Sequence, residues 1–190
     1  DTELKYLKAQ LNPHFLFNVR NYIDAMVYPH SEEASEAIMK LSSIMRYMLY
    51  ESDSDFVKIN QEVNYIKAFV DLQKMRLKPT DRVVFEANDP FSDFKFATMI
   101  LIPFVENAFK HASRVDNQLM IDISLTVDAD HMHFIIKNSF DAYALEEKDE
   151  TGGIGLSNVK KRLNLIYQYQ YQLDISKKDG LYVVDLRIKV

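Results

Sequence analysis

Cysteine and tryptophan are absent from this 190-residue chain, and glycine (four) and proline (five) are scarce. Without cysteine there are no disulfides, no zinc–thiolate sites and no thiol nucleophile, and a reducing compartment is permitted without being required. No apolar run approaches the roughly 20 residues that span a bilayer, and no signal-peptide pattern follows Asp1. An excess of basic charge is lacking too. The 23 Lys and Arg against 28 Asp and Glu leave a net charge of -5, which argues against a phosphate-neutralising nucleic-acid surface as the main business. There is no internal repeat, no low-complexity tract and no GxxxxGK[ST] phosphate loop. What is present, 47% hydrophobic and 12% aromatic residues, can fill a real core in one large or two small domains and argues against disorder.

The first half reads as helices. Leu4, Leu7, Leu11, Phe15, Tyr22 and Met26 form one stripe, predicting a helix from about residue 2 to 28. Because that periodicity is already running at Leu4, the chain is expected to be part of something longer. After the turn at Pro29–His30, Ser31 with Glu32 and Glu33 supplies a cap and an acidic first turn. A second helix to about Tyr50 carries Ala34, Ile38, Leu41, Met45 and Met48 on its stripe. So short a turn makes the two helices antiparallel neighbours, and a lone hairpin buries one seam only. Two chains are therefore expected to combine their hairpins into a four-helix bundle. Polar residues 51–55 mark a boundary, giving units 1–54 and 55–190, the second opening with a helix from about Asn60 to Leu77 with Val63, Ile66, Phe69 and Val70 inward.

After Pro79 the texture changes. Strands are expected over RVVFEAN, LMIDISLTV and MHFIIKN, with the turn Asp128–Ala129–Asp130 joining the last two. A helix holds ILIPFVENAFKHA with Pro103 in its first turn, and another holds GLSNVKKRLNLIY. QLDIS, the turn Lys178–Asp179–Gly180 and LYVVDLRIKV close the chain as a hairpin. The class is α+β, a helical hairpin followed by a sheet covered by helices.

Three motifs carry chemistry. His14 lies in LNPHFLFN at the edge of the first stripe, after a proline that removes a backbone donor. It is either a displayed nucleophile or a first-turn residue of a helix capped by Asn12. In PFVENAFKHA, Glu106, Asn107, Lys110 and His111 share one face: two oxygen donors for a hard cation and two groups for phosphate, or a plain Glu–Lys pair on a solvated surface. Three of the four glycines, Gly152, Gly153 and Gly155, precede a helix, where backbone amides can approach an anion. Alone, that cluster also fits a flexible loop. His131 and His133 share a strand face but lack a third metal ligand in sequence.

Taken in order, LNPHFLFN, VENAFKHA and TGGIGLSNVKKRL resemble the three signature blocks of the LytS/YehU-type sensor histidine kinases, across essentially the whole chain. The resemblance implies a dimerisation and phosphotransfer hairpin followed by a GHKL (Bergerat-type) α/β sandwich with a mixed sheet. It makes His14 the phosphoacceptor and gives the cofactors as ATP and Mg²⁺. Asn107 becomes the Mg²⁺ ligand beside Glu106, with Lys110 and His111 near the triphosphate. Gly153, Gly155, Leu156, Asn158 and Arg162 fall at the lid end of the nucleotide site. One departure stands out: the family's Asp-x-Gly adenine block is IIKNSFD here, so Asn138 replaces the aspartate and Phe140 the glycine, with Asp141 as a substitute. An asparagine oxygen still accepts from an exocyclic amine, without the charge.

The resemblance further implies attack by the neutral His14 imidazole on the γ-phosphorus, then transfer to a response-regulator aspartate, the regulator often carrying a LytTR-type output. Asn18, one turn beyond His14, is placed to orient a water for dephosphorylation. A homodimer, an upstream membrane sensor region and a cytoplasmic position at the inner membrane complete the expectation. Two rivals differ in class: a pseudokinase scaffold that has lost ATP binding through Asn138–Ser139–Phe140, and an ATPase indifferent to His14.

Overall fold

The computed structural model describes residues 31–48, 54–88, 94–140 and 153–189. The first expected helix, with His14 and Asn18, lies outside them, as do Asp141 and Gly152. Helix α1 (Ser31–Arg46) is followed by a short strand β1 (Phe56–Lys58), helix α2 (Ile59–Lys74), strand β2 (Arg82–Ala87) and short strand β3 (Lys95–Ala97). Then come α3 (Ile102–His111), the hairpin β4 (Met120–Val127) and β5 (His131–Ser139), α4 (Gly153–Ile166) and the hairpin β6 (Tyr171–Lys178) and β7 (Leu181–Lys189).

Five strands form a mixed sheet in the order β2-β4-β5-β7-β6, with β2 parallel to β4 and every other pair antiparallel. Its alternation sorts the two faces. Ile121, Ile123, Leu125, Met132, Phe134, Ile136, Val184, Leu186 and Ile188 are buried beneath helices, while Asp122, His133, Lys137, Asp185 and Arg187 lie on the other side. Phe104 of α3 meets Phe134 of β5 with ring centroids 6.3 Å apart. The predicted turns hold. Asp128 Oδ1 accepts from the Asp130 and His131 amides, and Asp179 and Gly180 take φ values of 52° and 73°, the left-handed pair that a two-residue hairpin loop needs.

β1 and β3 form a separate two-stranded sheet, registered Phe56↔Ala97 and Lys58↔Lys95. Thr98 reinforces it, donating from its amide to the Asp55 carbonyl at 3.1 Å and from its hydroxyl to the Ser54 carbonyl at 2.6 Å. Residues 54–58 are thus tied to the second half of the chain. α2 starts where Lys58 donates its amide to Gln61 Oε1, and ends three residues short of the expected Leu77.

α1 corrects the expected stripe. Ala34, Ala37, Ile44 and Tyr47 are buried, with Leu41 and Met48 packed against them, whereas Ile38 and Met45 are exposed. The buried line turns toward the small Ala37, which lets α2 approach closely.

Candidate functional site

α3 leaves the turn after β3 with Pro103 at its second position, where a missing amide costs nothing. Ile102, Phe104, Val105 and Ala108 fix it to the core. That orientation leaves Glu106 and Asn107 half-buried, Lys110 exposed and His111 half-buried in the last turn. Among the described residues no ion pair joins Glu106 to Lys110, so the plain surface pair does not describe this face. Burial instead pushes the Glu106 carboxyl up to about 7, within reach of proton exchange at neutral pH. The phenol of Tyr65 on α2 lies close by. Its ionisation is pushed upward first by burial and then by the Glu106 and Glu62 carboxylates.

The adenine-block position closes the far end of α3. Asn138 is buried at the end of β5, in register with Ile121 and Tyr182, and its amide nitrogen donates to the Ser139 carbonyl at 3.2 Å. Ser139 Oγ donates to the Ser113 carbonyl at 2.7 Å and accepts from the Met120 amide at 3.0 Å. The exit of α3 and the end of β5 are therefore bolted together.

α4 packs against α3 and begins at Gly153, two residues before the expected start. Gly155 is exposed, has an ordinary helical backbone, and a Cβ there would meet nothing within 4 Å. Among the described residues neither packing nor conformation requires glycine, although glycine costs a helix roughly 0.5–1 kcal/mol relative to alanine. Its use fits close approach of something from outside the fold. Leu156 and Asn158 are half-buried on the next turn, while Val159 and Leu163 anchor the helix in the core.

Arg162, which the resemblance sets at the nucleotide, is buried among its own chain here, donating from Nη1 to the Met99 carbonyl at 3.1 Å and from Nη2 to the Thr98 carbonyl at 2.5 Å. The α4 stripe that buries Val159 and Leu163 carries Arg162 inward with them. Facing it is Glu62 of α2, which sequence reasoning missed. Glu62 is fully buried, accepts a hydrogen bond from the Tyr47 hydroxyl and another from the Met99 amide at 2.6 Å. Burial pushes its carboxyl up to about 7, against the downward pull of those two bonds and of Arg162. The available signal was a carboxylate on an apolar stripe, with Ile59 before it and Ile66, Phe69 and Val70 after it.

The chemistry of the donors suits Mg²⁺. Among the described residues no cluster of three or more His, Asp or Glu could hold a metal, while Asn107 offers one hard oxygen with Glu106 beside it. An ion that keeps waters and takes its remaining ligands from phosphates fits such a site.

Residues 2–81 match a histidine kinase family model and residues 94–189 match a GHKL domain. The sensor histidine kinase BtsS of Escherichia coli K12 is 30% identical over 189 residues, covering 98% of this chain and 33% of BtsS. The sensor protein LytS of Streptococcus agalactiae is 31% identical over 176 residues, covering 87% of this chain and 30% of LytS. The chain thus spans about a third of the length of these curated relatives. In fold it is similar to the histidine kinase domain of the blue-light activated kinase EL346 of Erythrobacter litoralis, with a TM-score of 0.54 at 11% identity, covering 97% of this chain and 92% of that one. The helix-covered mixed sheet, the three sequence blocks and these matches agree: the chain belongs to the LytS-type sensor histidine kinases and carries their GHKL domain.

Proposed function

We propose that this chain is the catalytic part of a sensor kinase that moves the γ-phosphoryl group of Mg-ATP onto His14 and then to an aspartate of a response regulator. The observation that carries the reading is the half-buried Glu106–Asn107 pair on α3, a helix packed against α4, whose Gly155 meets no structural need among the described residues. Asn107 Oδ1 would hold Mg²⁺, which neutralises phosphate charge when bound. Lys110 and His111 would meet phosphate oxygens, and the amides at Gly153, Gly155 and Leu156 would face the triphosphate, with Asn158 one turn on. Among the described residues, the Asn138 amide nitrogen is spent on Ser139, which leaves Oδ1 to accept from the adenine amine.

In the transfer, a lone pair on the neutral His14 ring forms the N–P bond as the γ-phosphorus releases the bridging oxygen to ADP. The proton on the ring's other nitrogen goes to a base. Glu106 suits that task, because a carboxyl near 7 is matched to an imidazole with an ordinary pKa of about 6.5. Positioning and charge neutralisation supply most of the acceleration.

The relatives' names, sensor kinases of which this chain spans a third, support a sensor region elsewhere in the protein; its place upstream at the inner membrane, with this part on the cytoplasmic side, is part of the proposal. A homodimer and a regulator with LytTR-type output belong to the same proposal, as does a dephosphorylating role for Asn18. No helix among the described residues is long and apolar enough to cross a membrane.

The test is incubation with γ-labelled ATP and Mg²⁺. The parent should acquire acid-labile, alkali-stable label, and His14→Gln and Asn107→Ala should each lose it. Steady phosphate release unchanged in His14→Gln would instead make the chain an ATPase, and failure to bind nucleotide saturably would make it a scaffold.

A further inference from the structure

The four residues between β3 and α3, with Ala97 before them, carry an unusual load. Ala97 donates its amide to the Tyr167 hydroxyl at 2.9 Å, and Thr98 is held to residues 54 and 55. Met99, which is neither glycine nor asparagine, has φ of 58°, a conformation that persists only where its surroundings over-determine it. Its surroundings do so from both sides of the residue. Glu62 of α2 takes its amide, Arg162 of α4 takes its carbonyl and the one before it, and Tyr47, just past α1, holds Glu62 from behind. The Tyr47 and Tyr65 rings stack at 4.7 Å to brace the same spot.

Two buried charges are a poor way to gain stability, since apolar residues of similar volume commonly do as well or better. Here they are not even fully satisfied, for Glu62 Oε2 and Arg162 Nε have no hydrogen-bond partner among the described residues. What the arrangement does secure is relative position. Three helices converge on one peptide turn, and the chain leaves that turn directly into the helix bearing Glu106 and Asn107.

We infer that Glu62 and Arg162 are positioning residues for phosphoryl transfer: by gripping the two sides of Met99, with Tyr47 extending the grip toward α1, they hold α3, α4 and the helix following the phosphoacceptor segment in one register. This rests on the kinase reading above, and it assigns the buried arginine to geometry rather than to phosphate contact. It also separates two effects. Arg162 governs how α4 meets α3, hence nucleotide affinity, whereas Tyr47 governs how α1 meets the turn, hence transfer to His14.

The experiment compares Arg162→Lys and Tyr47→Phe with the parent in the 190-residue chain, measuring affinity for Mg-ADP by titration and the labelling rate of His14 at saturating ATP. Arg162→Lys should weaken Mg-ADP about tenfold or more, and Tyr47→Phe should slow labelling by about the same factor with affinity unchanged, as expected when reacting groups lose alignment. Lower thermal stability with both affinity and saturated rate unchanged would overturn the inference. Amide exchange over residues 99–105 and 155–160, followed without nucleotide, decides the matter even if the parent takes up no label, a result that would sink the kinase reading instead. Both variants should speed exchange in both segments, and acceleration confined to the helix carrying the change would overturn the linkage. Should Arg162→Lys fail to fold, Tyr47→Phe, which removes a single oxygen, carries the exchange test by itself.

Discussion

At the scale of single residues, Glu106 and Gly155 show how a site can be read from what the fold does not need. Nothing in the core requires a carboxyl at 106, and its burial raises the proton affinity to about 7. As a base it works only when ionised, so the labelling rate should climb as pH rises through about 7 and level off above it. Glu106→Gln should leave only the rise that the imidazole itself gives at about 6.5 and lower the saturated rate by about 10²–10⁴, the usual worth of a positioned base, with nucleotide affinity nearly unchanged. Stability runs the other way. Between the ordinary carboxyl range and pH 7 the folded state keeps a proton that the unfolded chain has lost, so folding weakens with rising pH, and Glu106→Gln should remove part of that slope in urea titrations. Gly155→Ala splits the same two readouts. Relief of the glycine penalty should stabilise the chain by about 0.5–1 kcal/mol in urea unfolding, while the new methyl group weakens Mg-ADP binding. Equal binding by the alanine variant would mean that no anion approaches that backbone.

At the scale of elements, legibility followed periodicity. Strands β2, β4, β5, β6 and β7 and helix α3 emerged within a few residues of their bounds because each alternates or repeats against one buried layer. β1 and β3, three residues each, show no period and owe their pairing to hydrogen bonds made by Thr98 and Ile59 with distant partners. The α1 stripe was misplaced since hydropathy ranks Ile38 above Ala37, whereas close packing favours the smaller side chain. Arg162 was assigned by its motif, and only the fold reveals that it faces Glu62. Another long-range contact no pattern announces is Asp81, whose side chain is closed off from solvent. It takes two hydrogen bonds from Arg114 and one each from the Lys78 and Leu119 amides, joining the segments that lead into β2 and β4. The Arg114 guanidinium holds the Asp81 carboxyl down at about 2. Its contribution is complete above the ordinary aspartate range near 4 and fades as pH falls through about 2. Asp81→Asn should therefore be less stable than the parent at neutral pH, the two converging toward pH 2 when unfolding is followed by circular dichroism. A constant gap across that range would show that the ionised form is not what matters.

At the scale of the whole molecule, α1 has two apolar sides and one described neighbour. Ala37, Ile44 and Tyr47 are buried on the side of α2, yet Ile38 is 46% exposed, Met39 69% and Met45 37%. Single exposed apolar residues are ordinary, but three within two turns of one helix make a seam. A second copy using the same seam gives the two-fold contact that a four-helix bundle needs. Replacing Ile38 and Met39 together by glutamate should then convert the proposed dimer to a monomer in light scattering and leave nucleotide affinity intact, because both side chains lie outside the buried core. Mixed dimers extend the argument from assembly to chemistry. A chain with His14→Gln keeps the nucleotide residues, and one with Asn107→Ala keeps the acceptor. If phosphoryl transfer runs between subunits, mixing the two restores label on the Asn107→Ala chain, and adding the seam substitutions to either one abolishes it. If transfer runs within a subunit, the mixture stays dark and the seam substitutions leave the parent's labelling intact.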